Sequence, residues 1–274
     1  MELELKTEAL EREVLTSLFS NCPAETKKAL GFRIVNIDDA LLLTARSDPS
    51  IMLNRAHGLC SNKEIKPSTI QKIAATYSVL GIKNYFLHLY IEDQPQASQQ
   101  QLRNAGLVET QGWMRFIRDT STPGDEPGSP ETESEQRVEK VDNENAERFA
   151  HIVCHAFNMS GAATPMIAAL VNDPRWHLYA SFDGDTMCAT GAMFVQDEIA
   201  WLDWTATLPE YRNSGGQSAI MAACIEQASA SGCKHIVTES GEAVDDEPQQ
   251  RYSRILKHGF SEMRVRQNYK PQTQ

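Results

Sequence analysis

The sequence feature that most constrains the fold is a polar interruption at residues 119–136, which reads DTSTPGDEPGSPETESEQ. This segment contains three prolines, two glycines, six acidic residues and no basic or large apolar residue. Such a composition cannot bury enough surface to offset the entropy lost on ordering, so it predicts a flexible linker. The chain has 274 residues, which is enough for two domains of about 100–200 residues each. The linker places these domains at residues 1–118 and 137–274.

The formal charge of −11 is distributed unevenly around this linker. Residues 1–118 carry a net charge of +1, whereas the linker and residues 137–274 carry −6 each. Neither domain has the basic balance that favours binding to a polyanion, so no nucleic-acid partner is expected. Hydrophobic residues make up 41% of the chain, which excludes global disorder and allows a core in each domain.

The sequence also bears on location and redox state. It contains no run of about 18 apolar residues, so no membrane span is predicted. The start, MELELKTEALERE, lacks the apolar run of a secretory signal. The six cysteines are scattered without a CxxC pair, which favours free thiols over a disulfide framework or a zinc site. We therefore expect a cytoplasmic protein with no membrane partner and no metal.

Both predicted domains show the same order of elements: a hairpin, a strand, a long helix, a short strand, a short helix ending in glycine, and a last strand. The long helices are predicted from Pro67 to Leu80 and from Ser214 to Ser231, each followed by glycine. This order predicts an α/β (α+β) fold, and its recurrence at a period of about 140 residues indicates a tandem duplication.

The stretch that carries chemistry is Leu208–Ala228, LPEYRNSGGQSAIMAACIEQA. It predicts a strand, a small polar loop and a long helix. Glycines let the backbone approach a ligand closely, and the first N–H groups of a helix have no internal acceptor. Together with the helix dipole and the cation of Arg212, this loop predicts a site for phosphate or pyrophosphate. It lacks the Gly-Lys-Ser/Thr of a P-loop and the GxGxxG of a dinucleotide site.

This stretch resembles the signature of the GNAT superfamily of acyl-CoA-dependent N-acetyltransferases, (Gln/Arg)-x-x-Gly-x-(Gly/Ala), which runs here from Arg212 to Gln217. Supporting marks are the strand GCKHIVTE at Gly232–Glu239 and the ending RILKHGF at Arg254–Phe260. The resemblance covers about residues 139–270. It implies two tandem GNAT-like domains, each a mixed, mainly antiparallel sheet flanked by helices. Because the first domain has no such phosphate loop, it is interpreted as a degenerate half.

The resemblance implies how acetyl-CoA would bind. The pyrophosphate would lie on the N–H groups of Asn213 to Ser218, and the pantetheine arm would pair with the strand at Thr205–Thr207 as an added strand. A backbone N–H near Thr205 would polarise the acyl carbonyl. The implied acetyl-CoA-binding residues are Thr205, Ala206, Thr207, Arg212, Asn213, Ser214, Gly215, Gly216, Gln217 and Ser218.

Two positions depart from the family pattern. Gln217 replaces the usual glycine or alanine, so its amide must either point away from the phosphates or bond to them. Ile255 stands where many members carry the tyrosine that protonates the leaving thiolate. Tyr252 lies about one turn earlier on the same helix and is the candidate proton donor, with a packing or hydrogen-bonding role as the equal alternative.

Asp203 and Glu239 are the candidate general bases. They lie on the two strands that the resemblance implies will separate around the thioester. Asp203 lies between tryptophans, so an apolar setting predicts a raised pKa for its carboxyl. The alternatives are that Asp203 is an exposed polar residue, or that a water relay replaces a single base. Trp201 and Trp204 are three apart, which predicts opposite faces of the strand.

These features predict an N-acetyltransferase that transfers the acetyl group of acetyl-CoA to an amine, of a small molecule, by direct attack in a ternary complex. The acidity of the second domain favours a cationic acceptor. Two alternatives stay open: an acetyl-CoA-binding regulatory or interaction module without catalysis, which Ile255 favours, and a protein amino-group acetyltransferase. Acceptor identity and oligomeric state are not set by the sequence, and a homodimer is one state it leaves open.

Overall fold

The computed structural model describes residues 2–59, 64–121, 136–242 and 250–272, so most of the predicted linker lies outside the described residues. The helices of this part of the chain are α1 (Glu2–Asn21), α2 (Ala24–Leu30), α3 (Pro67–Val79), α4 (Gln96–Asn104), α5 (Ala146–Ala156), α6 (Thr164–Ala168), α7 (Gly216–Ala230) and α8 (Gln250–Lys257). The strands are β1 (Phe32–Ile37), β2 (Ala40–Ala45), β3 (Arg55–His57), β4 (Phe86–Leu89), β5 (Leu107–Asp119), β6 (Arg137–Lys140), β7 (Trp176–Asp183), β8 (Thr186–Gln196), β9 (Ile199–Thr207), β10 (His235–Gly241) and β11 (Ser261–Pro271).

Most elements form where the apolar periodicity and the glycine and proline stops predict them. The long helices α3 and α7 begin and end within two residues of the predicted limits. The exceptions are the short strand β6 and the helix α2, which the sequence pattern does not reveal; α2 has seven residues. It ends at Gly31 in the left-handed conformation, with φ of 61°, where the N–H of Gly31 bonds to the carbonyl of Lys28.

The chain forms two compact units, and these differ from the contiguous ranges that the sequence predicts. The first unit comprises Met1–Trp113, Asn158–Ala163 and Val265–Gln274, and the second comprises Met114–Phe157 and Thr164–Arg264. Two strands explain the difference, because β5 and β11 have 13 and 11 residues and each contributes a part to both units.

The first unit is a mixed sheet in the order β1-β2-β3-β4-β11-β5. The hairpin of β1 and β2 is antiparallel, as its turn at Asp38 and Asp39 predicts, whereas β3 pairs with β4 in parallel. The core lies between this sheet and α3, where Ile73 and Tyr77 are fully buried.

The second unit is a mixed, mainly antiparallel sheet in the order β11-β5-β10-β9-β8-β7-β6. Strands β6 to β9 pair antiparallel in chain order, and β9 pairs with β10 in parallel. Helix α7 covers one face through Ile220, Met221 and Cys224, which pack in a cluster with Ala200 and Leu202. The apolar side chains of α5 are buried but do not belong to that cluster, because α5 packs on the opposite face against β8 and β9.

Two further observations concern the described residues alone. None of their helices is both long enough and apolar enough to cross a membrane. The cysteines among them form no disulfide and are buried, namely Cys22, Cys154, Cys188, Cys224 and Cys233.

Candidate functional site

The second unit opens where β9 and β10 stop pairing. Their parallel ladder runs from His235↔Ile199 to Thr238↔Leu202, and no further pair is recorded within the described residues. Asp203 and Glu239 are the residues that directly follow the last pair. The structure therefore brings both predicted bases to the point where the two strands separate.

A β-bulge shapes the β9 side of this opening. Asp203 pairs with Ala192 and Ala206 with Thr190, so Trp204 and Thr205 together oppose the single residue Gly191. Trp204 adopts a φ of 51°, which is rare for a large side chain. The bulge turns the backbone of β9 at the position where the resemblance implies that the acyl carbonyl would bind.

The bulge also corrects the prediction for the two tryptophans. The ring of Trp201 lies 5.0 Å from the guanidinium of Arg115, and the ring of Trp204 packs edge-on against Phe157, the C-cap of α5, at 5.4 Å. Both rings are buried, and neither belongs to the cluster under α7. The prediction of opposite faces was wrong, because the extra residue of the bulge interrupts the strict alternation of a strand.

The loop before α7 has the geometry of an anion site. Asn213 and Gly215 both have positive φ, at 68° and 83°. The backbone N–H groups of Asn213 and of residues 215–218 have no acceptor in the part of the chain that the structure describes. Arg212 is exposed and makes no side-chain bond to any described residue. The loop thus offers a row of donors and a cation at the positive end of a helix of 15 residues.

A small network holds this loop against the sheet. The amide of Gln136 donates to Ser214 Oγ at 2.9 Å, and the hydroxyl of Ser181 donates to Gln136 Oε1 at 3.0 Å. A methyl group on Gly216 would collide with Oε1 of Gln136 and lie 2.5 Å from Ser181 Oγ, so a larger residue here would displace the side chains of this network. The sequence does not reveal Gln136, since it is the last residue of the predicted linker.

Gln217 points away from the mouth of the loop, which decides the alternative that its sequence position leaves open. Its side chain is buried, and Nε2 donates to the backbone carbonyls of Thr190 at 2.9 Å and Ala206 at 2.5 Å. Its backbone N–H, in the first turn of α7, is unaffected by this orientation and stays among the donors of the loop.

Glu239 is held by a buried arginine. Oε1 of Glu239 accepts from Nε and Nη2 of Arg115 at 3.1 and 3.0 Å. The side chain of Arg115 is 0% exposed and that of Glu239 is 9% exposed. This pair links β10 to β5, and the charge of Glu239 is balanced by a guanidinium that water does not reach. The sequence does not reveal Arg115 as part of the site.

Asp203 is half-buried, and its Oδ1 accepts the backbone N–H of Trp204 at 2.7 Å. A second arginine lies close by, because Nη2 of Arg251 donates to the backbone carbonyl of Glu239 at 2.8 Å. Burial lowers the pKa of Arg251, and the negative charges of Asp203 and Glu239 oppose that effect. The opening therefore gathers two carboxylates and two guanidiniums.

Tyr252 lies in the cluster under α7. Its hydroxyl donates to Glu262 Oε1 at 2.5 Å, and its ring packs edge-on against Phe116 at 4.8 Å. Burial raises the pKa of this hydroxyl, and the bond to Glu262 raises it further. These contacts favour the structural alternative for Tyr252, while Ile255 is fully buried in the same cluster.

The first unit has the corresponding strand pair but different chemistry. Its parallel ladder ends at Ala56↔Leu87, and the residues that follow are His57 and His88, whose rings lie 4.7 Å apart. His57 Nδ1 lies 3.1 Å from Glu11, and burial lowers the pKa of His57 to about 3. Both histidines are at least 97% buried, so this position presents no exposed carboxylate to a substrate.

The start of α3 in the first unit is also unlike the start of α7. The helix begins at Pro67, which has no N–H to donate. The described residues that line a pocket of about 250 Å³ beside it include Asp38, Asp39 and Glu64 as well as Lys66. A helix start with one donor fewer and an acidic surround disfavours a pyrophosphate, although residues 60–63 of this loop lie outside the described chain.

No group of three or more histidine, cysteine, aspartate or glutamate side chains that could hold a metal ion occurs among the described residues.

Comparison with known proteins relates this site to one family. Residues 138–260 match the family described as "Acetyltransferase (GNAT) family". No curated protein sequence matched the chain. The matched range contains the opening between β9 and β10, the bulge, the loop and α7.

Solved structures are similar over nearly the whole chain. One is a GCN5-related N-acetyltransferase from Kribbella flavida, at 14% identity and a TM-score of 0.59, covering 90% of this chain and 93% of that one. Another is a functionally unknown conserved protein from Staphylococcus epidermidis, at 10% identity and a TM-score of 0.58, covering 93% of this chain and 100% of that one. At such identities the likeness establishes the fold.

Proposed function

Residues 138–260 are an acetyltransferase domain of the GNAT family, and on that premise we propose that the protein transfers the acetyl group of acetyl-CoA to an amine of a small molecule. The reaction forms an amide C–N bond and breaks the thioester C–S bond, with the amine attacking directly in a ternary complex. The observation that carries the proposal is the row of backbone N–H groups at Asn213 and residues 215–218, which have no acceptor among the described residues and lie beside the exposed Arg212.

This row suits the pyrophosphate of acetyl-CoA. Each N–H can donate to a phosphate oxygen, and the dipole of α7 favours negative charge at its start. The guanidinium of Arg212 adds a cation with rigid donor geometry. Ser214 and Ser218 carry hydroxyls at the same turn, although Ser214 Oγ already donates to the carbonyl of Tyr211 at 2.6 Å.

The pantetheine arm has a matching strand. Beyond Leu202, β9 has no recorded pairing with β10 among the described residues, so its backbone at residues 205–207 is available to an extended ligand by strand addition. The bulge at Trp204 and Thr205 turns the backbone at the head of this stretch. We assign the N–H near Thr205 to the acyl carbonyl, where a fixed donor stabilises the charge that develops on the oxygen.

We propose Asp203 as the general base that removes the proton from the attacking amine. Asp203 and Glu239 occupy equivalent positions after the ladder, but the carboxylate of Glu239 accepts two bonds from the buried guanidinium of Arg115. The Glu239 side chain is also only 9% exposed, so it is less accessible to an attacking amine than the half-buried Asp203. The bond from the N–H of Trp204 engages only Oδ1 of Asp203, and Oδ2 is not part of it. The negative charge of Asp203 also attracts a protonated amine before attack.

The described cysteines form no disulfide, which supports a cytoplasmic location for this reaction, since disulfides are rare in that compartment. The second candidate function is an acetyl-CoA-binding module without catalysis. A specific observation supports it: the Tyr252 hydroxyl already donates a hydrogen bond to Glu262, and Ile255 has no group that could protonate the thiolate. A panel of small amines and a peptide amine, with thiol release from acetyl-CoA as the readout, distinguishes the two functions.

The binding step is tested with the double variant Arg212→Ala and Gly215→Glu. Acetyl-CoA at 100 times its Kd should raise the stability of the wild-type protein by about 2.7 kcal/mol. The double variant should lose this protection, because it removes the cation and places a carboxylate among the donors. Gly232→Glu is the matched control, since Gly232 lies after the far end of α7 with a φ of 77° and open space around it.

The control should keep both the protection and the thiol release. If acetyl-CoA still protects the double variant against heat, the assignment of the loop to the pyrophosphate is wrong. Firm protection of the wild-type protein without thiol release from any amine would favour the non-catalytic module instead.

A further inference from the structure

Gln217 joins two parts of the proposed acetyl-CoA site through one side chain. Its backbone lies in the first turn of α7, in the stretch assigned to the pyrophosphate. Its amide Nε2 reaches the carbonyls of Thr190 on β8 and Ala206 on β9, at 2.9 and 2.5 Å. Ala206 belongs to the stretch assigned to the pantetheine arm, so the loop and the strand are tied directly.

The acceptors of this amide also surround the bulge. Thr190 and Ala206 are a register pair on the C-terminal side of Trp204 and Thr205. The hydroxyl of Thr190 donates to the carbonyl of Trp204 at 3.2 Å, so the same pair of strands is pinned a second time at the bulge. These bonds fix the position of the start of α7 relative to the bulge in β9.

The bonding of this amide is complete on its donor side. A glutamine amide has two N–H donors, and each is directed to a carbonyl here. The residue is 9% exposed, so water cannot easily replace either bond. A residue with no side-chain donor at this position would remove the direct bonds from α7 to β8 and β9, and would leave packing and the Gln136 network on β7 to hold the start of the helix.

We propose that Gln217 is a positioning residue for acetyl-CoA, which sets the spacing between the pyrophosphate loop and the pantetheine strand so that both halves of the cosubstrate bind at once. This inference rests on the proposed function. It assigns to Gln217 no contact with the reacting atoms. Its loss should therefore weaken binding of the whole cosubstrate, because an error in spacing penalises a ligand that must reach both halves.

The test compares Gln217→Glu and Gln217→Met with Gln227→Glu. Glutamate keeps the size of the side chain but removes the amide donors, and methionine keeps the length without charge. Gln227 is the matched control, because it lies later on α7 and bonds to Tyr179 and Ser231 at 3.1 and 3.0 Å. Steady-state kinetics give KM for acetyl-CoA, KM for the amine and kcat. Competition with 3′-phospho-ADP, which lacks the pantetheine arm, measures binding of the pyrophosphate half of the cosubstrate alone.

Both Gln217 variants should raise KM for acetyl-CoA by about tenfold or more, which corresponds to about 1.4 kcal/mol. In Gln217→Met, which adds no charge, the amine KM, kcat at saturating acetyl-CoA and the inhibition constant of 3′-phospho-ADP should each stay within about twofold to threefold. The Gln227→Glu control should leave all four constants unchanged: both KM values, kcat and the inhibition constant. Thermal denaturation in the absence of ligand establishes that each variant is folded at the assay temperature.

Three results would overturn the inference. An unchanged KM for acetyl-CoA in both variants would remove the positioning role. A fall in kcat alone would place Gln217 in the chemical step, and an equal loss of 3′-phospho-ADP would mean that the loop itself is disrupted. If the wild-type protein neither binds acetyl-CoA nor transfers acetyl groups, the proposed function is wrong and the inference falls with it.

Discussion

Gly191 is the position where a single methyl group should disturb the packing of α7 on the bulge. An ideal Cβ at Gly191 would lie 2.6 Å from Cγ2 of Ile220 and 3.6 Å from Cγ2 of Thr205. Ordinary carbon contacts are about 3.5–4.0 Å, so the overlap with Ile220 is about 1 Å. Ile220 is fully buried and branched at Cβ, so it cannot rotate away without cost.

Gly191→Ala should therefore lower the free energy of unfolding by about 1–3 kcal/mol, the usual cost of overpacking a core. Ile220→Ala alone should cost about 2–5 kcal/mol through the cavity that it leaves. The double variant should be less destabilised than the sum of the two by about 1 kcal/mol or more, because alanine at 191 then fits into the space that Ile220 vacates.

The assay is a double-mutant cycle in which the free energy of unfolding is measured with denaturant. The unfolding transition that acetyl-CoA shifts is assigned to the second unit. Gly161→Ala is a control for the same exchange without a steric clash, because its Cβ would meet nothing within 4 Å; since Gly161 belongs to the first unit, it should leave the transition of the second unit unchanged and shift that of the first by less than about 0.5 kcal/mol. Gly191→Ala should also weaken the protection by acetyl-CoA, since it pushes α7 away from the bulge. Strict additivity in the cycle, or a Gly191→Ala variant as stable as the wild type, would refute this account of the packing.

Three further predictions concern individual side chains. Burial lowers the pKa of His57 to about 3 from 6.5, so the unfolded chain takes up this proton below about pH 6.5 while the folded one does not. The stability of the first unit should therefore fall as the pH drops from about 6.5 towards 3. The free energy of unfolding, measured by denaturant titration at each pH, should depend less steeply on pH in His57→Asn than in the wild type. Tyr252→Phe should cost about 1.5–3 kcal/mol through the lost bond to the Glu262 carboxylate and leave kcat within about twofold; a large loss of kcat at unchanged stability would restore Tyr252 as the proton donor. Asp203→Asn should lower kcat by about 100-fold or more, whereas Glu239→Gln should act mainly on the melting temperature, because Arg115 loses the charge of its buried partner. Equal effects of these two changes on kcat would contradict the choice of Asp203 as the base.

The sequence was sufficient where the physical cause is local. The loop Arg212–Gln217 combines a cation, two adjacent glycines and a following helix within a few residues, so its anion-binding character can be predicted without tertiary contacts. The helix limits followed from apolar periodicity and from glycine or proline at the ends. The positions of Asp203 and Glu239 at the separating strands were implied by the family resemblance, and the structure places both directly after the last ladder pair.

The sequence was insufficient where the cause joins distant residues. Arg115 and Glu239 are 124 positions apart, and no periodicity links a buried arginine on one strand to a carboxylate on another. The faces of Trp201 and Trp204 were predicted wrongly, because a bulge depends on how β8 and β9 align. The units differ from the predicted ranges because β5 and β11 each continue from one unit into the other, and strand length of this kind is decided by available partners.

The sequence by itself determined the class of fold, predicted an anion-binding loop at Arg212–Gln217 and carried the resemblance of the second domain to GNAT acetyltransferases, because each depends on residues that are close along the chain. Only the tertiary structure decided that Glu239 is neutralised by Arg115, that Tyr252 donates to Glu262, and that the amide of Gln217 turns from the loop to the strands. Those outcomes depend on which buried polar groups find partners, and a buried group is satisfied by whatever lies beside it in space.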